Sequence, residues 1–60
     1  MNTLRDLIIE GLNTWGLRGY EGIVRHMERS GYERTSVVAE MNLMIDKGEI
    51  IHDRSGVHLP

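Results

Sequence analysis

Sixty residues hold one hydrophobic core and no second domain, and a chain of that size buries only about 60% of the surface it exposes when unfolded. With no cysteine and three histidines, disulfides are excluded and a closed structural zinc site is disfavoured, which leaves self-association open as a source of stability. An apolar fraction of 40% and a charged fraction of 27% exclude a disordered chain, while the net charge of −2 lacks the basic excess that phosphate binders usually carry.

The first predicted element is a helix over about Leu4–Leu12. Thr3 followed by Asp6 has the spacing of a capping box, and Leu4, Leu7, Ile8 and Leu12 recur at helical period to form one apolar stripe. Asn13, Thr14 and Gly16 end it. Trp15, where the chain leaves this helix, is expected to lie as a lid on the core, with base stacking as its alternative role. A short extended piece centred on Leu17 follows, and a second helix runs from Tyr20 to Arg29 with Tyr20, Ile23, Val24 and Met27 facing inward. Gly22 weakens that helix and is expected to mark a close helix contact, and Ser30-Gly31 stops it.

The third helix starts between Glu33 and Ser36. Val37, Val38, Met41, Met44 and Ile45 form its apolar face, and Lys47-Gly48 supplies a basic last turn and a terminating glycine. Beyond Gly48 the pattern becomes strand-like. Glu49–His52 and Gly56–Leu59 flank Asp53-Arg54-Ser55-Gly56, which reads as a hairpin. No apolar run exceeds three residues, as in Leu7-Ile8-Ile9, so no membrane span is expected. Arg5, Asp6 and Glu10 interrupt any leader-like segment, and the chain reads as cytoplasmic.

Helix, brief extension, helix, tight turn, helix, hairpin is an α+β order that resembles the winged helix-turn-helix domain. The stretch Gly31-Tyr32-Glu33-Arg34-Thr35-Ser36-Val37, then Met41, Met44 and Lys47-Gly48-Glu49-Ile50-Ile51, resembles the recognition-helix region of small prokaryotic and phage regulators. That resemblance covers nearly the whole chain as a single domain, on motifs that mark a superfamily and not one protein. It implies a third helix in the major groove of double-stranded DNA and a wing on the backbone or in the minor groove. Carried over by position, the groove-facing residues are Thr35, Ser36, Ala39, Asn42, Leu43 and Asp46. Asn42 is the best base reader, able to pair bidentately with adenine. Thr35, Ser36 and Arg34 suit phosphates, and Arg54 at the wing tip and Arg18 in the first connection are further contacts. A homodimer is expected because one such module has a small footprint.

The face departs from that pattern in lacking Arg and Lys, and Asp46 on it would repel phosphate. Arg25, Arg29, Arg34 and Arg54 could equally pair with Glu21, Glu28, Glu33 and Asp53 as an ordinary solvated surface. A protein-binding adaptor or inhibitor, such as a phage product docking on a host protein, is therefore the competing expectation, with exposed Leu43 and Trp15 as its interface. His52 and His58 could face each other across the hairpin beside Asp53, but Asp53 should point away from His52, so no metal site is expected. No nucleophile has a base at a useful spacing, and Gly16, Gly19 and Gly22 lack the Lys-Ser or Lys-Thr of a phosphate loop. Neither enzymatic activity nor a cofactor is expected.

Overall fold

The computed structural model describes residues 3–60. Three helices, α1 (Leu4–Asn13), α2 (Tyr20–Arg29) and α3 (Arg34–Asp46), precede two short strands, β1 (Ile51–Asp53) and β2 (Gly56–His58). The strands pair antiparallel as a C-terminal hairpin, giving an α+β architecture. No helix among the described residues is long and apolar enough to cross a membrane.

Local chemistry sets each boundary. At the start of α1 the Thr3 hydroxyl accepts from the Asp6 amide, and the Asp6 carboxylate accepts from the Thr3 amide, so two otherwise orphaned donors are satisfied reciprocally. Helices α2 and α3 close with one shared motif. Tyr32 N–H donates to the Met27 carbonyl and Gly31 N–H to that of Glu28; Glu49 and Gly48 repeat this on Met44 and Ile45. The motif requires a left-handed residue, supplied by Gly31 at φ 102° and Gly48 at φ 75°. Lys47 sits on the C-cap and not in the last turn.

The core forms where the helices cross. Ile8 of α1, Ile23, Val24 and Met27 of α2, and Val37, Met41 and Met44 of α3 are buried, and Ile50 and Val57 bring the hairpin into the same cluster. Ile50 is drawn into the core at the helix exit, which delays the first strand: it begins at Ile51 and not at the expected Glu49. The Leu17 segment does not form a strand of its own, but it serves as one side of a seat for β2. The Arg18 carbonyl accepts the Val57 N–H at 2.5 Å.

Two expectations about packing are corrected. Trp15 is no lid; it is 65% exposed, with its ring 6.1 Å from that of His26 on α2. The positive φ of Gly16 turns the chain so that Leu17, whose N–H donates to the Gly11 carbonyl, returns to the core in its place. Gly22 is no close-contact position either, since a Cβ there would meet nothing within 4 Å. The tight glycines are Gly11, where a Cβ would lie 2.9 Å from Leu17 Cδ1, and Gly56, where it would collide with the Arg18 carbonyl oxygen.

Gly56 also has φ 105°, so alanine there suffers backbone strain of about 1–3 kcal/mol and displaces the carbonyl that holds Val57. A chain this short has on the order of 3–9 kcal/mol of stability to lose. Gly56→Ala is therefore expected to lower the urea midpoint markedly more than Gly31→Ala, which has a similar φ of 102° but open space around it. Equal losses would show that the hairpin seat contributes nothing.

Candidate nucleic-acid interface

Helix α3 packs one side inward through Val37, Met41 and Met44, and its opposite side is left to solvent. Thr35, Ser36, Ala39, Asn42, Leu43 and Asp46 are all exposed, spaced to share that side. The sequence-derived set is thus gathered on one surface, which includes Leu43, 47% exposed. Arg54 is exposed at the hairpin tip, and Arg18 is exposed while its backbone anchors β2.

The reversal that carries Arg54 is built from three features. Asp53 pairs with Gly56 in the ladder, the Ser55 N–H donates to Asp53 Oδ1 at 2.8 Å, and Gly56 alone in this turn takes positive φ. Arg54 and Ser55 keep negative φ, so the left-handed glycine after them restores the strand twist. Arg18 and Arg54 make no ion pair among the described residues, whereas Arg34 is held by two carboxylates, Glu21 at 2.5 Å and Glu28 at 3.2 Å. Arg25 also reaches Glu21, at 3.7 Å. The Arg34 guanidinium holds the Glu21 carboxyl below its usual range, chiefly by direct hydrogen bonding. Arg34 is therefore a bridge between α2 and α3 and not a free phosphate contact; of the two expectations for it, pairing with the glutamates is the one found.

Tyr20 was missed as a site residue. It was expected to be core, yet it is only half-buried, and its hydroxyl donates to Asn42 Oδ1 at 3.1 Å. Its ring stacks on that of His52 with centroids 5.2 Å apart and planes 26° from parallel. A polar chain thus runs from α3 through the start of α2 to the hairpin. The available signal was chemical: a tyrosine at the edge of an apolar face needs a partner for its hydroxyl. Arg5 and Glu49 form a further ion pair that no local pattern announces, clasping α1 to the exit of α3.

The two hairpin histidines do not oppose each other. Ile51 pairs with His58 and His52 with Val57, so the imidazoles lie on opposite faces of the hairpin. His58 instead meets Asp53, Nε2 to Oδ2 at 2.9 Å, and its Nδ1 lies 3.0 Å from the Leu59 carbonyl. Both ring nitrogens face acceptors, which favours the doubly protonated cation. Among the described residues no group of three or more His, Cys, Asp or Glu could hold a metal ion. No protein-family model, curated protein or solved structure matches the chain.

The His58–Asp53 pair has a defined pH dependence. Asp53 raises the His58 pKa, helped by the Leu59 carbonyl, and His58 lowers that of Asp53, helped by the Ser55 amide. The histidine contribution is complete below its ordinary value and is lost as pH rises through the raised one. The aspartate contribution is present above the ordinary carboxylate value and is lost as pH falls through the depressed one. The hairpin is therefore best held between about pH 4 and pH 6.5. In a proton NMR titration His58 is expected to titrate above the ordinary histidine range and to fall back towards it in Asp53→Asn. An unmoved titration would remove the pair from solution.

Proposed function

We propose that this chain is a small winged-helix protein that binds double-stranded DNA, with α3 as its recognition helix and the hairpin as its wing. The observation that carries the reading is the exposed side of α3 from Thr35 to Asp46, joined through Tyr20 to the hairpin that bears Arg54. Small and polar residues at its N-terminal end, Thr35, Ser36 and Ala39, let the helix approach base edges, with Asn42 one turn further along. Arg54 and Arg18 suit phosphate contacts that fix the register without reading sequence. The acidic balance makes this a weak electrostatic binder, so two copies on neighbouring half-sites would supply the missing footprint. Regulation of transcription or replication, in a prokaryotic or phage setting, is the role such a protein would fill.

A second reading has its own support. Leu43 and Trp15 are exposed at 47% and 65%, and two glutamates neutralise Arg34, a combination that suits a protein partner better than a phosphate backbone. Trp15→Ala separates the two, because it removes an apolar contact outside the exposed side of α3 and leaves Asn42, Leu43 and Arg54 in place.

The direct test is fluorescence anisotropy on a random-sequence duplex across a salt series. Dissociation constants near the non-specific range of about 10⁻⁴–10⁻⁶ M are expected, weakening steeply with salt. Arg54→Ala should reduce the logarithmic salt slope by about 1. Glu21→Gln with Glu28→Gln releases Arg34 and should tighten binding and steepen the slope. Flat anisotropy at low salt for both the parent and the released variant would contradict DNA binding and leave the partner reading.

A further inference from the structure

A free asparagine side chain matches adenine because it offers an acceptor and a donor side by side, Oδ1 to N6–H and Nδ2–H to N7. Asn42 is not free in this sense. Its Oδ1 accepts the Tyr20 hydroxyl at 3.1 Å, which turns the acceptor back towards the start of α2. Tyr20 is itself held, since its ring stacks on His52, and the hairpin carrying His52 is seated by the Val57 N–H on the Arg18 carbonyl. The amide is clamped with its Nδ2 hydrogens as the uncommitted groups, on an exposed residue of the outer side of α3.

Resting on the DNA-binding reading, we infer that Tyr20 sets base specificity by presenting Asn42 as a donor only, and that the base it fits is guanine. Guanine is the one base whose major-groove edge carries two acceptors, N7 and O6, and no donor. Adenine pairs less well with this amide, because the Tyr20 hydroxyl takes one lone pair of Oδ1 and holds that oxygen towards the start of α2, away from the N6 hydrogens. Thymine offers O4 alone, beside a methyl group. Tyr20 is thus a positioning residue; it acts through Asn42 and makes no base contact of its own. Removing its hydroxyl frees Oδ1, restores the adenine match and leaves the ring stacked on His52.

Two measurements test this independently. In the first, duplexes are selected from a randomised library by the parent protein, Tyr20→Phe and Asn42→Ala. The parent should prefer guanine over adenine by on the order of tenfold at one position. Asn42→Ala should lose the preference there, and Tyr20→Phe should move it to adenine. Asn42→Asp keeps an acceptor for Tyr20 but has no Nδ2 donor, so it too should lose guanine. Adenine at that position for the parent, guanine retained by Tyr20→Phe, or selection of no preferred sequence would overturn the inference while leaving DNA binding intact. Failure of the parent to bind any duplex would overturn both.

The second measurement needs no DNA. In the unbound protein the side-chain amide of Asn42 should show restricted ¹⁵N relaxation that becomes mobile in Tyr20→Phe. Equal mobility in the two proteins would show that the clamp does not exist, whatever the DNA result.

Discussion

The seat of the hairpin on the first connection is the contact on which the rest of the surface depends. Val57 serves twice there: its side chain completes the core, and its N–H donates to the Arg18 carbonyl. Gly56 permits the approach, because any Cβ would strike that carbonyl. Without this seat the hairpin would be a two-stranded ribbon of six paired residues, and isolated ribbons of that kind are marginal in water. With it, His52 comes to rest against Tyr20, and Arg54 is carried at a defined tip.

The exposed side of α3 follows from the same economy of core. A 60-residue chain cannot surround all of its helices, so Val37, Met41 and Met44 are spent inward and the opposite side is left bare. The charge around it is arranged unusually for a phosphate binder. Glu21 and Glu28 absorb Arg34 at the start of α3, and exposed ion pairs of this kind add little stability. Their larger effect is to withhold a cation from any ligand at that end of the helix, which on the proposed DNA-binding reading leaves attraction to Arg18 and Arg54 and discrimination to Asn42.

Much of the architecture was legible in local chemistry. The Thr3–Asp6 cap, the glycines after α2 and α3, and the apolar periods of the helices each act over a few residues, and all three helices lie within a residue or so of where those signals put them. The exposed residues of α3 were legible for the same reason, since a helical period that buries Met41 and Met44 also fixes what points away. What sequence could not give is long-range. Trp15 reads as core by its hydrophobicity, but whether it or Leu17 returns to the core depends on one left-handed glycine and the space beside Gly11. The pairing of Tyr20 with Asn42 joins residues 22 apart, beyond any periodic signal, whereas the pairing of Arg34 with Glu21 and Glu28 is one of the two readings that the charges themselves offered. The hairpin register, which pairs Ile51 with His58 and His52 with Val57, puts the two histidines on opposite faces, and no local pattern specifies that register.

Amide chemical-shift mapping on a random-sequence duplex at low ionic strength would test the DNA-binding role most directly. Perturbations should gather on Thr35, Ser36, Ala39 and Asn42 and at the hairpin tip around Arg54, and should fade as salt is added. Shifts centred on Trp15 and His26, or no shifts at all, would contradict that role and turn attention to a protein partner.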